Sequence, residues 1–179
     1  MKLSITPRIQ ITDPMWGKII PMIRSVWPSK APIDNMQEEI IHWKAPPLFE
    51  FDMIILVEKH NEIIGFARAF TRDVKINGIV RKNMALGMVC VKKEFRGYGL
   101  GREIVETAFA FVKKYDFEFT IFQTKVPSFY EHLGAGILPN KIIDSLHNNS
   151  KVFWDPYVMV YPGYVHLGDS EIDLMGYGY

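Results

Sequence analysis

The sequence predicts an α/β protein of the α+β kind, folded as a single domain over residues 1–179. Three observations carry that expectation. Two apolar runs, residues 52–58 and 63–71, flank the polar turn His60-Asn61-Glu62, which is the pattern of an antiparallel hairpin. Residues 102–115 place Ile104, Val105, Ala108, Phe109 and Val112 on one face of a helix. A chain of 179 residues, 48% apolar and 13% aromatic, suits one packed core.

Taken in order, the first part reads as helical. Asp13-Pro14 is a helix start, with Asp as cap and Pro at the first helical position. Ile19, Ile20, Ile23, Val26 and Trp27 follow at helical spacing. Residues 28–32, between two prolines, break the pattern. A second helix is predicted over 34–43, with Met36, Ile40 and Trp43 on one side, and Ala45-Pro46-Pro47 ends it. The hairpin comes next, then a turn at Asn77-Gly78. Residues 84–91 form a strand uninterrupted by charge, which suits the middle of a sheet. A glycine-rich turn over 96–101 leads into the helix 102–115. A strand over 117–122 follows, then a short helix over 128–133 that ends at Gly134 as a left-handed cap. A late strand is predicted over 152–161. The tail 164–179, rich in Gly, Tyr and acids, carries no assigned conformation.

Lys and Arg total 21 against 20 Asp and Glu, so bulk charge gives no reason to expect nucleic acid or an anionic membrane as partner. Cys90 is the lone cysteine and has no second thiol for a disulfide or metal site. No two of the five histidines stand at the i, i+4 spacing of a helical metal site, and no metal is expected. Neither a signal peptide nor an apolar run of about 18 residues is visible. The expected location is the cytoplasm.

The chemistry concentrates in residues 89–102, which read Val89-Cys90-Val91-Lys92-Lys93-Glu94-Phe95-Arg96-Gly97-Tyr98-Gly99-Leu100-Gly101-Arg102. A strand, a basic connector, a glycine-rich turn and a helix start make an anion cradle. The first N–H groups of a helix lack internal partners, and the helix dipole adds positive potential there. Glycines let the backbone close on a phosphate. Lys92, Lys93, Arg96 and Arg102 add charge, so a pyrophosphate is the natural guest. A Walker loop would need Lys-Ser/Thr after its last glycine, where this chain has Arg102-Glu103. A dinucleotide fingerprint would need Gly-x-Gly-x-x-Gly in a parallel unit, and here the spacing is Gly97-x-Gly99-x-Gly101 after antiparallel hairpins.

The run from Arg96 to Gly101 after a Val-x-Val strand resembles the acetyl-CoA pyrophosphate loop of the GNAT N-acetyltransferases, whose pattern is Arg/Gln-x-x-Gly-x-Gly/Ala. Downstream, Phe129-Tyr130-Glu131-His132-Leu133-Gly134-Ala135 resembles that family's Phe-Tyr-Glu-Lys-Leu-Gly-Phe segment. The resemblance covers roughly residues 51–135. It implies a mixed, mostly antiparallel sheet flanked by helices, with a parallel strand pair that splays apart to admit the pantetheine arm. Acetyl-CoA is the implied co-substrate. Arg96, Gly97, Tyr98, Gly99, Leu100, Gly101 and Arg102 are the implied pyrophosphate residues, and Val89, Cys90 and Val91 are expected to line the arm. One backbone N–H of that strand is expected to polarise the thioester carbonyl. Transfer is expected to be direct attack by an amine, helped by orientation.

Tyr130 is the implied general acid, placed to protonate the leaving thiolate; the structural alternative is an aromatic packed at a helix surface. Cys90 reads as a small core residue rather than a nucleophile. His132 stands where the family has a lysine. Some family members carry a glutamate in the strand before the loop, where this chain has Met84-Ala85-Leu86-Gly87-Met88, and the family's frequent asparagine before the tyrosine motif is Gln123. For the base this leaves water or, by chemistry alone, Glu50, Asp52, Glu171 and Asp173. The expected acceptor is a small-molecule primary amine. Residues 85–91 and Met159-Val160-Tyr161-Pro162 resemble the aminoglycoside 2′-N-acetyltransferases, and Ile172-Asp173-Leu174 resembles the end of the rhizobial nodulation acyltransferases. Both point to an amino sugar or aminoglycoside. A protein or polyamine acetyltransferase, and an acyl-CoA sensor without catalysis, are the alternatives. A homodimer is left open.

Overall fold

The computed structural model describes residues 1–28, 33, 35–45 and 49–179. In chain order the elements are β1 (Lys2–Pro7), α1 (Asp13–Val26), α2 (Met36–Lys44), β2 (Asp52–Lys59), β3 (Glu62–Thr71), β4 (Val74–Ile76), β5 (Ile79–Arg81) and β6 (Asn83–Val91). There follow α3 (Leu100–Lys114), β7 (Phe119–Thr124), α4 (Pro127–Glu131), β8 (Gly136–Ile137), β9 (Ile142–Ile143), β10 (Tyr157–Tyr161) and β11 (Ile172–Asp173). Contacts divide them into two compact units: Met1–Ala69 with Met88–Val105, and Phe70–Gly87 with Glu106–Tyr179. Among the described residues no helix is long and apolar enough to cross a membrane.

In the first unit β1 runs antiparallel to β2, with Lys2 opposite Glu58 and Pro7 opposite Met53. β1 lies ahead of the helix start read at Asp13, in residues to which the sequence assigned no element; it is defined by a partner about fifty positions away, which local periodicity does not register. The loop between β2 and β3 is His60-Asn61, with φ 49° and 65°. Two left-handed residues give the turn whose twist matches the strands it joins. Thr12 rather than Asp13 occupies the N-cap position of helix α1, without a side-chain cap bond, and Asp13 lies inside the first turn with Pro14. Pro21 sits in the helix interior, where it removes the bond to the Gly17 carbonyl. Helix α2 is capped by the Asn35 side chain, which accepts from the N–H groups of Gln37 and Glu38. The expected break at 28–32, the expected start at Asp34 and the expected stop at Pro46-Pro47 fall largely outside the described residues.

Ile19, Ile20 and Ile23 of α1 pack with Ile54, Leu56, Phe66 and Cys90 in one buried cluster. Each such side chain removed from water contributes roughly 1.5–3 kcal/mol. Trp16 stacks on Trp43 at 6.1 Å, joining α1 to α2. Beside this core, Asp52 accepts two 2.8 Å bonds from Arg68 and one of 3.4 Å from Arg8, while Arg8 also donates to the carbonyls of Trp43 and Lys44.

In the second unit the strand order is β6-β7-β10-β8. β6 and β7 are parallel, with Asn83, Met84 and Ala85 opposite Phe119, Thr120 and Ile121. The pair is fixed at its start by Asn83, fully buried, which accepts from Ile121 N–H and donates to the Arg72 carbonyl, both at 2.8 Å. β10 is antiparallel to both β7 and β8. The predicted turn at Asn77-Gly78 closes a small hairpin, β4–β5, with φ 52° and 78°. β11, in the tail the sequence left unassigned, pairs antiparallel with β4 and parallel with β9. Ile172 and Leu174 enter a second core with Phe119, Ile121, Val152 and Phe153. The late strand starts at Tyr157, not at 152, because Val152 and Phe153 are buried as loop residues in that core. Helix α3 ends in a left-handed Asp116 (φ 56°), with Phe117 N–H bonded to the Val112 carbonyl. Gly134 takes the left-handed cap predicted for it, at φ 87°.

Candidate active site

β6 does not run straight into the glycine turn. Met88 has φ 58° inside the strand, a left-handed residue of the kind that marks a bulge. The sequence carried no signal for it. Beyond it Lys92 N–H bonds the Ile64 carbonyl of β3, and Lys93–Phe95 form a 3₁₀ turn. Arg96 folds back so that its Nε donates to the Val91 carbonyl at 3.0 Å. Gly97 and Gly99 are left-handed, at φ 85° and 82°. A Cβ at either would meet nothing within 4 Å among the described residues, so backbone conformation rather than crowding explains the glycines here. The Gly99 carbonyl accepts the first helical bond, from Glu103 N–H at 3.1 Å. The N–H groups of Leu100, Gly101 and Arg102 therefore belong to the first turn of α3, which has no internal acceptors for them.

Leu100 anchors the turn in the interior, while Tyr98 is 73% exposed on its rim. Lys93, Arg96 and Arg102 are exposed, and Lys92 is paired with Glu62. The open backbone, the helix start and four cations suit a polyanion such as the pyrophosphate of an acyl-CoA.

Of the strand residues, Val89 is half-buried and Val91 buried. Cys90 faces the first core, with its Sγ 3.7 Å from the Met22 sulfur. Burial pushes its thiol up to about 12 against a weaker opposing effect of Arg96, which leaves it protonated and unfit as a nucleophile.

Tyr130 lies on α4 in the second unit and is more buried than a helix-surface aromatic, at 6% exposure. Its ring packs on Phe122 at 4.6 Å and on Phe129 at 4.9 Å. His132 is exposed and bonds the Ser128 carbonyl one turn back. The acids considered from sequence divide clearly. Glu50 is exposed, and Glu171 is exposed and paired with Lys141. Asp52 is held by two arginines. Burial alone would raise the Asp173 carboxyl, but bonds from Ser145 and Met175 N–H and the charge of Lys75 hold it below its ordinary value.

Gln123 proves to be a junction. Its Oε1 accepts from Trp154 N–H at 3.0 Å and Asp155 N–H at 2.9 Å, and its Nε2 donates to the Tyr179 carbonyl at 2.7 Å. The Tyr179 hydroxyl donates to the Ile121 carbonyl, and burial raises its pKa. Sequence reasoning missed Asp155 because the late strand was drawn through it; an acid beside a proline, Asp155-Pro156, was the available sign of a bend.

A family model, Acetyltransferase (GNAT) family, matches residues 16–135, which include the glycine turn and Tyr130. The chain belongs to that family, the class of acyl-CoA-dependent N-acyltransferases, and its mixed sheet with a parallel strand pair and flanking helices is the family's fold. Among solved structures, Eis1 from Mycobacterium abscessus matches at 12% identity and a TM-score of 0.59, over 76% of this chain and 32% of its own. YhbS, a GNAT family N-acetyltransferase from Escherichia coli in complex with CoA, matches at 14% identity and 0.60, over 97% and 90%. The glucosamine-6-phosphate N-acetyltransferase of Arabidopsis thaliana matches at 20% and 0.54, over 75% and 91%. The chain spans about a third of the length of Eis1 but most of the other two. No curated protein matches the sequence.

Proposed function

We propose that the chain is an N-acetyltransferase that passes an acetyl group from acetyl-CoA directly to a primary amine. The carrying observation is the cradle: two left-handed glycines with open space beside them, opening onto the first turn of α3 within the family-matched span. In this reading Arg96, Gly97, Tyr98, Gly99, Leu100, Gly101 and Arg102 hold the pyrophosphate. The backbone of Val89, Cys90 and Val91 follows the pantetheine arm, and one of its N–H groups polarises the carbonyl under attack. Acetyl-CoA supplies an activated thioester. Tyr130 protonates or stabilises the departing thiolate. In this reading residues 1–179 form a single catalytic domain.

For the acceptor we propose an amino sugar or aminoglycoside, supported by the resemblances at residues 85–91, 159–162 and 172–174. An amino-sugar phosphate is also the acceptor named for the Arabidopsis enzyme that shares this fold. The test is CoA release from acetyl-CoA with glucosamine, an aminoglycoside, spermidine and a short peptide, with the acetylated product identified by mass spectrometry. Turnover of the two sugar amines above the others is the expected result. Tight CoA binding with no turnover of any amine would make the protein a sensor.

A further inference from the structure

A primary amine is an ammonium ion near neutral pH, and a partly buried carboxylate is the kind of group that would receive it. Asp155 is such a group. Its backbone is pinned by the bond from its N–H to Gln123, and its side chain is 18% exposed. Its Oδ1 is buried without a hydrogen-bond partner among the described residues. Lys125 forms an ion pair with Oδ1 at 3.6 Å, too long for a hydrogen bond, and the lysine is itself 75% exposed. A buried carboxylate oxygen left without a donor is unfavourable, and native proteins rarely carry one without a reason.

The surroundings narrow the ligand. β10 begins two residues later, with Tyr157 opposite Thr124, so Asp155 lies at the end of β7 just before α4 and Tyr130. Trp154 is 69% exposed and Tyr157 40% exposed, on either side of the carboxylate in the chain, and Val126 is 54% exposed. An ammonium brings three donors and a positive charge. Aromatic faces attract the same cation and cover an apolar body.

We infer that Asp155 binds the ammonium end of the acceptor, with Trp154 and Tyr157 forming the aromatic wall beside it. This rests on the N-acetyltransferase reading for the identity of the ligand, but it concerns binding, not transfer. The experiment is calorimetric titration of glucosamine, an aminoglycoside and spermidine into the full chain in the presence of CoA, with Asp155→Asn and Lys125→Ala beside the unaltered protein. Asn keeps the shape and the backbone bond to Gln123. Asp155→Asn should weaken amine binding at least tenfold while CoA affinity stays within twofold. Lys125→Ala should leave amine affinity unchanged or raise it, because it removes a competing cation. If Asp155 serves only to pair with Lys125, the two variants will behave alike, and the inference falls. It falls too if Asp155→Asn binds the amines normally, or if the folded protein binds none of them. Amine binding that depends on Asp155 without any acetyl transfer would sink the proposed reaction and leave this site standing.

Discussion

The glycine cradle and the end of β7 are held by opposite kinds of bond. Within the glycine turn the ties are short, Phe95 to Lys92, Arg96 Nε to the Val91 carbonyl and Glu103 to Gly99, and the long links from Lys92 to Ile64 and Glu62 sit at its strand end. At the end of β7 they are long: Gln123 reaches Trp154, Asp155 and Tyr179, and Tyr179 returns to Ile121, separations of 31 to 58 residues. A site made of short ties forms wherever its peptide lies on a strand and a helix. A site made of long ties exists only once the remote segments have packed, so it should open first under stress and respond to changes far from it.

The sharpest test of the second region is Tyr130→Phe. The ring and its contacts with Phe122 and Phe129 remain. If the hydroxyl serves the leaving thiolate, kcat should fall by roughly 10²- to 10⁴-fold with little change in KM for acetyl-CoA. A loss below about threefold, well under that range, would make Tyr130 a packing residue.

The cradle should be sensitive to conformation rather than to volume. Gly99→Val forces a β-branched residue to φ 82°, although a Cβ there meets nothing. CoA affinity should drop at least tenfold, about 1.4 kcal/mol. Gly99→Asn, which tolerates left-handed backbone, should lose less. Equal losses for the two variants would show that bulk, not φ, governs the loop.

Gln123→Leu probes the long ties directly. It removes three hydrogen bonds at once, and at about 0.5–1.5 kcal/mol each the folded protein should lose roughly 1.5–4.5 kcal/mol. Denaturant melts give the total. Hydrogen exchange should show amides of residues 152–155 and 177–179 opening ahead of those in the cradle, whose CoA affinity should not change. Uniform loss of protection would mean that the two regions are not distinct.

The same contrast explains what the sequence disclosed. The cradle, the His60-Asn61 turn, helix 102–115 and the Gly134 cap each depend on residues within one or two turns, and each was legible. β1 and β11 were not, because both are strands only through partners far along the chain: β2 for the one, β4 and β9 for the other. Val152 and Phe153 advertised burial, and burial was read as pairing. Asp155 drew no notice inside the predicted late strand; only the folded structure shows a buried carboxylate oxygen without a hydrogen-bond donor among the described residues. Asp52 and Asp173, equally plausible from chemistry, turn out to be tied to arginines and to backbone N–H groups.

The smallest effect is expected at Cys90, the residue in the implied arm-lining strand that most invites a chemical role. Its thiol is buried against Met22 and held protonated, with burial pushing it from 9.0 up to about 12. Direct transfer needs no thiolate, so Cys90→Ala should keep most of its turnover at pH 8 and lose about 1 kcal/mol of stability from the lost packing. The pH dependence has a definite sign. Above about 9 the unfolded chain gives up the thiol proton while the folded chain keeps it, so the unfolded state gains and the protein is destabilised as pH rises from about 9 toward 12. Cys90→Ala lacks that loss. Its stability deficit, measured by denaturant melts at pH 8 and pH 10.5, should therefore shrink at the higher pH. A deficit that is the same at both values would mean that the thiol ionises as readily in the folded protein as in the unfolded chain. A folded but inactive Cys90→Ala protein, together with an acyl-cysteine trapped on the unaltered chain by mass spectrometry, would replace direct transfer with a covalent route.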